Sequence, residues 1–326
     1  MTPPASNVPP LVAEATPWRA TFVDAESALA DLFGRLHHRA DDPPVHVNRH
    51  ADVKPDELPA ILDGAPIAII DHTPLPTAVA ARCPGLRHVV FLGTGARSYM
   101  DPEALAALGI AVHTIKGYGD TAVAECAFAL MWAAARGLAR MDRELRQGRW
   151  PRTDSMQLRG KTLGLIGFGG IAQELARLAL GAGMRVVAWN RTPRDHAGVE
   201  FVDIETLLAT SHVVSLHLLL NDETRGFLSR ERIAAMRDGA ILINTARGAL
   251  VDEPALIDAL SSGKLAHAGL DVFTVEPLPA QHPFTALPNV TLSAHSAFRT
   301  PEASINLVEA ALAHCRRIAA DRGEAR

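Results

Sequence analysis

The sequence lacks the charge excess and the long apolar segments that mark several large classes of protein. Its formal net charge is −4 over 326 residues, and acidic and basic side chains are interspersed, so it offers no electrostatic footprint to nucleic acid or to an anionic membrane. The longest apolar run, Cys126 to Ala135, has ten residues and stops at Arg136. A run of that length is too short to cross a bilayer and is typical of a buried helix. We therefore expect neither nucleic acid nor a membrane as a partner.

Cysteine is also scarce, and no metal-binding pattern is present. The three cysteines, Cys83, Cys126 and Cys315, are far apart and form no C-x-x-C pair, which indicates a reduced, cytoplasmic protein. The fourteen histidines are scattered, and only His37 and His38 are adjacent. No carboxylate or cysteine lies at ligand spacing from them, so we expect no metal ion.

The first residues of the sequence do not have the pattern of a signal peptide. Met1 to Pro10 is rich in proline and contains neither a basic n-region nor an apolar h-region, so it does not resemble a signal peptide. We predict that residues 1–16 form a disordered or extended leader.

What the sequence does contain is a glycine-rich turn between an apolar strand and a helix. Thr162 to Ile166 is a short apolar run that predicts a buried parallel strand. The next six residues, Gly167 to Ala172, have the pattern G-x-G-x-x-A and open a helix, whose unpaired first-turn N–H groups and dipole favour a diphosphate. A second apolar strand, Arg185 to Trp189, follows at the expected distance. We therefore interpret the turn as a dinucleotide site rather than as a purely conformational glycine turn.

Strands alternate with helices along most of the chain, which predicts parallel α/β units. Because 326 residues are many for one core, we predict two α/β domains, each with a doubly wound parallel sheet. The alternation breaks at Gly117 to Thr121, after which we predict one long helix from about Ala122 to Arg146. The polar segment Gln147 to Arg159 then crosses into the second domain. A final helix, from Thr300 to about Asp321, is long enough to return to the first.

Polar residues follow the predicted strands at the point where each strand ends. Arg247, Glu276 and His295 come shortly after three different apolar strands of the second domain. In the first domain, the turn Gly93-Thr94-Gly95 follows another strand. Ligands of doubly wound sheets lie outside the carboxyl ends of the strands, so we expect these groups to face one another across a cleft.

These groups together suit hydride transfer between nicotinamide and a 2-oxo or 2-hydroxy acid. Arg247 and the amides of Gly93–Gly95 can hold the substrate carboxylate, and Arg247 stabilises the charge that develops on the carbonyl oxygen. His295 can give or take a proton near neutrality, and Glu276, hydrogen-bonded to the imidazole, favours its charged form and fixes the ring. Singly, each residue has a simpler explanation as a surface ion pair, a structural histidine, a solvated turn or an ordinary loop. Jointly they favour the site.

The motifs resemble the D-isomer-specific 2-hydroxyacid dehydrogenase family over nearly the whole chain after the leader. The segments that carry the resemblance are Gly167–Ala172, Asn244–Gly248 with Leu250–Asp252, Gly269–Phe273 with Glu276-Pro277, Ser293–His295, and the hinge-like Tyr118–Glu125. The family implies a Rossmann NAD(P)-binding domain, residues 117–297, inserted in a flavodoxin-like substrate domain, residues 17–116 and 298–326. It also implies two hinge crossings and a homodimer built largely on the helix Ala122–Arg146.

The resemblance also implies roles for individual residues. Arg247, Glu276 and His295 are catalytic, and Asp271 hydrogen-bonds the nicotinamide carboxamide. The substrate-binding residues are Gly93, Thr94, Gly95, Arg247 and His295. The cofactor-binding residues are Thr121, Gly167, Phe168, Gly169, Gly170, Ile171, Asn190, Arg191, Thr192, His217, Thr245, Ala246, Arg247, Asp271 and His295.

Three positions depart from the family pattern. Asn190 follows the second strand of the cofactor domain, where NAD-preferring members usually have aspartate. Without that carboxylate nothing strong accepts the ribose 2′-OH or repels a 2′-phosphate, and Arg191 and Thr192 can bind one, so we predict a preference for NADP(H). Ala294 and Leu219 stand where the family commonly has proline, and neither change removes a group that the reaction needs.

The predicted function is an NAD(P)-dependent D-2-hydroxyacid dehydrogenase that runs in the direction of 2-oxoacid reduction. The sequence does not identify the acid, whose side chain we expect to meet Leu92, Ala96, Arg97, Tyr99, Tyr118 and Phe298. Arg97 fits either an acidic substrate or a solvent-facing position. Two alternatives are a formate dehydrogenase-like enzyme, which pairs its histidine with glutamine rather than with a residue like Glu276, and a dinucleotide-sensing corepressor. The lack of a basic or low-complexity extension weakens the second.

Overall fold

The structure, a computed structural model, describes residues 19–192 and 194–321, so the predicted leader, residues 1–16, lies outside the described residues. The chain divides into two compact units. Unit 1 extends to Thr114 and resumes at Val308, and unit 2 comprises Ile115 to Leu307. The predicted domain borders after residues 116 and 297 stay predictions.

Unit 1 is built on a five-stranded parallel sheet with the order β2-β1-β3-β4-β5. Its strands are β1 (Ala20–Phe22), β2 (Val45–Val47), β3 (Ile67–Ile70), β4 (His88–Phe91) and β5 (Ala111–Thr114). Its helices are α1 (Ser27–Leu36), α2 (Leu58–Leu62), α3 (Thr77–Ala80) and α4 (Pro102–Ala107), with 3-10 turns at Pro55–Glu57 and Ala96–Ser98. The central strand β3 is buried at every residue, as expected for a parallel strand covered on both faces.

Unit 2 is built on a seven-stranded parallel sheet with the order β12-β11-β10-β9-β6-β7-β8. Its strands are β6 (Thr162–Ile166), β7 (Arg185–Trp189), β8 (Val199–Phe201), β9 (Val213–Leu216), β10 (Ala240–Asn244), β11 (Leu265–Leu270) and β12 (Val290–Leu292). Its helices are α5 (Asp120–Arg136), α6 (Leu138–Arg146), α7 (Gly170–Gly181), α8 (Ile204–Thr210), α9 (Arg230–Ala235), α10 (Glu253–Ser261) and α11 (Pro283–Ala286), with a 3-10 turn at Gly248–Leu250. Helix α12 (Pro301–Asp321) begins in unit 2, and its residues from Val308 onward belong to unit 1.

In unit 2, successive strands are added on one side of β6 up to β8 and then on its other side from β9 onward, so the strand order reverses between β6 and β9. From β6 the sheet grows through β7 to β8 on one side, and from β9 through β10 to β12 on the other. Such a reversal is the switch point at which doubly wound sheets bind dinucleotides, and the glycine turn follows β6 at this point. The predicted fold class, two α/β domains with doubly wound parallel sheets, is confirmed.

Small residues bring helices close to the sheet in unit 2. A Cβ added to Gly269 of β11 would lie 3.0 Å from the Cβ of Leu130 in α5. Ala124, Ala127 and Ala134 of α5 are all buried in the core on this side of the sheet. Helix α5 therefore packs its alanine-rich face directly on the strands that carry the candidate site.

The predicted single helix from Ala122 to Arg146 is wrong. Helix α5 ends at Arg136, Gly137 adopts a left-handed conformation with φ 61°, and α6 starts at Leu138 at an angle of 64° to α5. Glycine in this conformation donates its N–H to the carbonyls of the last turn and stops a helix. Within residues 19–192 and 194–321 no single helix is long and apolar enough to cross a membrane, and the bent pair α5–α6 passes that test only by length and composition.

Candidate active site

The glycine turn after β6 is fixed by backbone contacts with the neighbouring strands. Gly167 has φ 90°, and a Cβ there would lie 2.5 Å from the carbonyl oxygen of His217, at the end of β9. Its N–H donates to the carbonyl of Trp189 at 2.8 Å. A Cβ at Gly169, by contrast, would meet nothing within 4 Å. The turn therefore needs glycine at one position for close packing and leaves open space at the other.

The first turn of α7 contains backbone N–H groups that are available as hydrogen-bond donors. The first N–H with an acceptor is that of Gln173, which donates to the carbonyl of Gly169 at 3.0 Å. No acceptor for the N–H groups of Gly170, Ile171 or Ala172 lies among the described residues. Three aligned amides at the positive end of a helix dipole suit a diphosphate, so the residues present fit the nucleotide that the fold implies.

The end of β7 holds Asn190 in a turn. Its Oδ1 accepts the N–H of Phe168 at 3.2 Å, and its Nδ2 donates to the carbonyl of Thr192 at 2.7 Å. Arg191 pairs with Glu223 at 3.2 Å, and both side chains are largely exposed. Asn190 thus ties the β7 turn to the glycine turn, and it adds no charge where a nucleotide ribose is expected.

Two more predicted cofactor residues lie at neighbouring strand ends. His217 hydrogen-bonds the hydroxyl of Ser215 through Nε2 at 2.9 Å, and burial lowers its pKa to about 4, so the ring is neutral at physiological pH. The Oγ1 atom of Thr245, after β10, is buried without a hydrogen-bond partner among the described residues. A buried hydroxyl with no partner is a group that a ligand can satisfy.

Arg247 is held by the residues around it. Asn244, the last residue of β10 and almost fully buried, accepts the N–H of Ala246 at 3.0 Å and donates to the carbonyl of Arg247 at 2.8 Å. A Cβ at Gly248 would collide with the backbone of Phe273, which follows β11. The absence of a side chain at residue 248 therefore lets the loop that carries Arg247 touch the loop that leads to Glu276.

Glu276 and His295 form a direct pair. Their Oε2 and Nδ1 atoms are 2.6 Å apart, and Oε1 of Glu276 accepts the N–H of Phe273 at 2.8 Å. His295 is one of two described non-glycine residues with positive φ, at 49°. Its Nδ1 is engaged, whereas no hydrogen bond from the described part of the chain reaches Nε2. The pair thus holds the imidazole by one nitrogen and leaves the other to a ligand.

The electrostatics of the pair favour an ionised carboxylate. Burial raises the pKa of Glu276, but the hydrogen bonds from His295 and from the Phe273 N–H, with the nearby charge of Arg247, outweigh it and hold the pKa below its ordinary value. An ionised Glu276 can only accept, so Nδ1 of His295 carries a proton and donates. This fixes both the ring and its protonation pattern.

Asp271 fastens the loop that carries His295. Its side chain is completely buried, and its two oxygens accept the N–H groups of Ser296 and Ala297, both at 3.0 Å. The N–H of His295 donates to the carbonyl of Asp271 at 2.7 Å. Sequence reasoning missed this function of Asp271, as it missed the bonds made by Asn244 and the close approach at Gly248. The only available signal was their place inside the strand-end motifs.

The structure brings Arg247, Asp271, Glu276 and His295 together at the carboxyl end of the sheet in unit 2. Gly93–Gly95 belong to unit 1 and follow β4, where Gly93 donates to Phe91 and Gly95 accepts from Ser98. Thr121 lies in the first turn of α5 and is exposed, and Ala246 is half-buried. The roles assigned to all these residues stay predictions.

The residues expected to select the substrate side chain are spread over the two units. Leu92 and Ala96 are buried in unit 1, and Tyr99 packs on Phe91 with ring centroids 5.1 Å apart. Arg97 is exposed and donates to Glu103, which favours the solvent-facing alternative. In unit 2, the rings of Tyr118 and Phe298 pack in a T shape, and Phe298 makes the same kind of contact with the ring of His295. No group of three or more metal-ligating side chains is assembled in the described ranges, and the expected absence of metal stays a prediction.

Comparisons with known proteins agree on one family. The profile of "D-isomer specific 2-hydroxyacid dehydrogenase, NAD binding domain" matches residues 128–297. The chain is 39% identical over 264 residues to a hydroxypyruvate reductase of Thermotoga maritima. The aligned region covers 78% of this chain and 86% of that protein. A glyoxylate reductase from Paecilomyes thermophila superposes with a TM-score of 0.82 at 28% identity, covering 94% of this chain and 96% of that one. An acyclic imino acid reductase (Bsp5) in complex with NADPH and D-Arg superposes with a TM-score of 0.79 at 29% identity, covering 89% and 94%. The chain therefore belongs to the D-isomer specific 2-hydroxyacid dehydrogenase family of NAD(P)-dependent enzymes.

Proposed function

We propose that this enzyme reduces a small 2-oxo acid of the hydroxypyruvate or glyoxylate type to the D-2-hydroxy acid. The observation that carries the proposal is the 2.6 Å contact between Glu276 and His295, beside Arg247, at the strand ends of the sheet that holds the glycine turn. The relatives named hydroxypyruvate reductase and glyoxylate reductase support this substrate class.

Arg247, Glu276 and His295 have different roles in the proposed reaction. The Arg247 guanidinium holds the carboxylate and the 2-oxo oxygen and stabilises negative charge on that oxygen. His295 donates the Nε2 proton to the same oxygen, and the carboxylate of Glu276 stabilises the imidazolium from the Nδ1 side. A nicotinamide bound beside these residues would supply the hydride to C2. We also propose that the turn Gly93–Gly95 holds the substrate carboxylate through the amides of Thr94 and Gly95, because the turn follows a strand end and Thr94 is exposed, whereas the N–H of Gly93 already donates to Phe91.

For the cofactor we propose a preference for NADP(H). Asn190 offers no carboxylate at the end of β7, its amide is already engaged within the turn, and the exposed Arg191 is free to leave a surface ion pair that contributes little. The similarity to a reductase solved with NADPH supports the same choice. Replacing Asn190 with aspartate should shift the ratio of kcat/KM toward NADH, because the new carboxylate accepts the ribose 2′-OH and repels a 2′-phosphate.

For the assembly we propose a homodimer through the segment that contains α5 and α6. No residue of α6 is buried, and Leu138, Leu145 and Trp150 expose 52%, 48% and 78% of their surface. Exposed apolar side chains in one segment mark an interaction surface. We place the enzyme in the cytoplasm, without membrane or nucleic acid partners. Its three unpaired cysteines support a reducing compartment.

The test is absorbance at 340 nm with a panel of 2-oxo acids, each assayed with NADPH and with NADH. We expect turnover with at least one small 2-oxo acid and faster turnover with NADPH. Tight nucleotide binding without turnover on any acid would replace the proposal with a dinucleotide sensor, and faster turnover with NADH would reverse the cofactor preference.

A further inference from the structure

Asp120 opens helix α5 and places its carboxylate against the first residue of the phosphate-binding helix α7. Both residues of this contact, Asp120 and Gly170, belong to unit 2. A Cβ at Gly170 would collide with Oδ2 of Asp120 and would lie 2.8 Å from its Cγ and 3.4 Å from Oδ1. Gly170 does not have a positive φ, so its backbone does not require glycine. The carboxylate of Asp120 occupies the space that a side chain at residue 170 would take.

The carboxylate of Asp120 has no hydrogen-bond or ion-pair partner among the described residues. No described residue donates a hydrogen bond to it or forms an ion pair with it, and it is partly buried, which raises its pKa. Gly117–Gly119 and the first turn of α7 pack around it and carry no acid or base except the phenol of Tyr118. Arg299 and Glu302 belong to the segment that packs on Gly119, and neither contributes to the pKa of Asp120, which burial alone raises.

The position of Asp120 conflicts with the ligand that the first turn of α7 is built to hold. The N–H groups of Gly170, Ile171 and Ala172 are without acceptors and define the diphosphate position. A carboxylate against the Cα of Gly170 is therefore a negative charge beside the place where a nucleotide brings two more. Like charges at short range in a partly desolvated site oppose each other, and protonation removes the conflict.

We infer that the ionised carboxylate of Asp120 weakens nucleotide binding at the glycine turn, and that the nucleotide binds with uptake of a proton at this residue. Asp120 is thus an affinity-determining residue that allows release of nucleotide at neutral and alkaline pH. Affinity rises as the pH falls through the titration of Asp120, because the bound state holds the proton more tightly than the free state. The inference rests on the proposed nucleotide site.

The experiment measures NADH dissociation constants by calorimetry between pH 5 and 8.5 for the wild-type protein, Asp120→Asn and a matched control, Glu174→Gln. NADH is the probe because the 2′-phosphate of NADPH itself titrates near pH 6. Glu174 lies on α7 and pairs with Arg177 at 2.6 Å, so its removal changes the net charge equally without touching the first turn. Titration in two buffers with different ionisation enthalpies counts the protons taken up.

At pH 8 we expect Asp120→Asn to bind NADH roughly fivefold to tenfold more tightly than wild type, and the difference to narrow as the pH falls. Proton uptake should accompany binding to wild type and to Glu174→Gln, and should be lost in Asp120→Asn. Asp120→Ser also removes the charge. It replaces Asp120→Asn if the amide variant folds poorly, and we expect the same results for it. Equal affinity and equal proton uptake in wild type and Asp120→Asn would overturn the inference while leaving the proposed function intact. Failure of the wild type and every variant to bind NADH, and NADPH in a parallel titration at one pH, would remove the proposed function, and the inference with it.

Discussion

Each unit carries one fully buried aspartate just after a strand, and each of these aspartates fastens a loop that carries a histidine. In unit 1, Asp24 follows β1 and accepts the N–H groups of Asp71, His72 and Thr73 at 2.9, 2.8 and 2.7 Å. In unit 2, Asp271 follows β11 and accepts two N–H groups of the loop after His295, both at 3.0 Å. The same device is therefore used twice.

The two histidines differ in what their second nitrogen does. Nδ1 of His72 hydrogen-bonds Asp71 at 3.2 Å and Nε2 hydrogen-bonds the carbonyl of Ala51 at 2.9 Å, so neither ring nitrogen is free. His295 uses Nδ1 on Glu276, and its Nε2 is left to a ligand. We therefore expect proton transfer only from His295, because the chemistry needs a free nitrogen as well as an anchored loop and a neighbouring carboxylate.

The largest expected difference comes from removing each histidine in turn. His295→Ala should lower kcat for 2-oxoacid reduction by about 10²- to 10⁴-fold, the usual contribution of a general acid, with nucleotide binding retained. His72→Ala should leave kcat within about threefold of wild type, because its ring makes only structural bonds. Steady-state kinetics and nucleotide titration check both. A loss of kcat in His72→Ala as large as in His295→Ala would contradict the comparison.

Glu276→Gln should have the next largest effect. We expect kcat to fall roughly 10- to 100-fold, because the neutral amide no longer stabilises an imidazolium and its single oxygen can accept from only one of the two donors, His295 Nδ1 and the N–H of Phe273. Glu253→Gln is the matched control, since Glu253 pairs with His282 at 3.1 Å elsewhere in unit 2. A kcat of Glu276→Gln as high as that of Glu253→Gln would mean that the carboxylate of Glu276 takes no part in the proton transfer.

Replacing Asp271 should mainly lower kcat, whereas replacing Asp24 should mainly lower stability. Asp271→Asn leaves one loop N–H without its acceptor, so kcat should fall by about tenfold as the loop that carries His295 loosens. Asp24→Asn should lower the free energy of unfolding by about 1–3 kcal/mol, the cost of buried donors left unsatisfied, with kcat of the folded enzyme preserved. Urea unfolding and kcat, measured on both variants, provide the test. A reversed pattern would show that the two loops have been assigned the wrong functions.

The smallest expected effect is a pH dependence of stability that originates at His72. The hydrogen bond with Asp71, opposed by burial and aided by the charges of Asp24 and Asp71 and by the carbonyl of Ala51, raises the pKa of His72 from 6.5 to about 9. A raised pKa means that the folded state holds this proton more tightly than the unfolded state. The stabilisation is therefore fully present below pH 6.5 and is lost as the pH rises through about 9.

The effect is moderated because 43% of the His72 side chain is exposed. Urea midpoints of wild type and His72→Gln, measured at pH 6 and at pH 10, check the sign. The gap between the two proteins should be wider at pH 6. A wider gap at pH 10 would mean that His72 is neutral in the folded protein.

Much of the fold was predictable from the sequence. Strands β6 and β7 have the predicted bounds to the residue, because each is an apolar run closed by a glycine or a polar residue. The three-residue edge strand β8 was not predicted, since it is too short for a pattern and forms only by pairing with β7. The stop at Gly137 was missed because a glycine within an apolar helical pattern is compatible with either a continuous helix or a left-handed cap.

The candidate site was predictable as a set of strand-end residues but not as a network. Arg247, Glu276 and His295 follow apolar strands and can be picked out one at a time. The bonds that fix them, such as those from Asp271 to the loop 25 and 26 residues further along the chain, connect distant segments that no local pattern joins. The contact between Asp120 and Gly170 is of the same kind. Local residue types therefore reveal which chemical groups are present. The tertiary structure decides which of these groups are held by hydrogen bonds, which are left to a ligand, and which lie close to a ligand of like charge.

The most direct test of the central claim, that Glu276 acts on the substrate only through His295, is a double-mutant cycle in kcat. The four proteins are wild type, His295→Ala, Glu276→Gln and the double variant, all assayed by NADPH oxidation with the best 2-oxo acid. If the two residues form one unit, the double variant should be no slower than His295→Ala within about twofold. Losses that multiply in the double variant would contradict the claim, because they would mean that the carboxylate contributes without the imidazole.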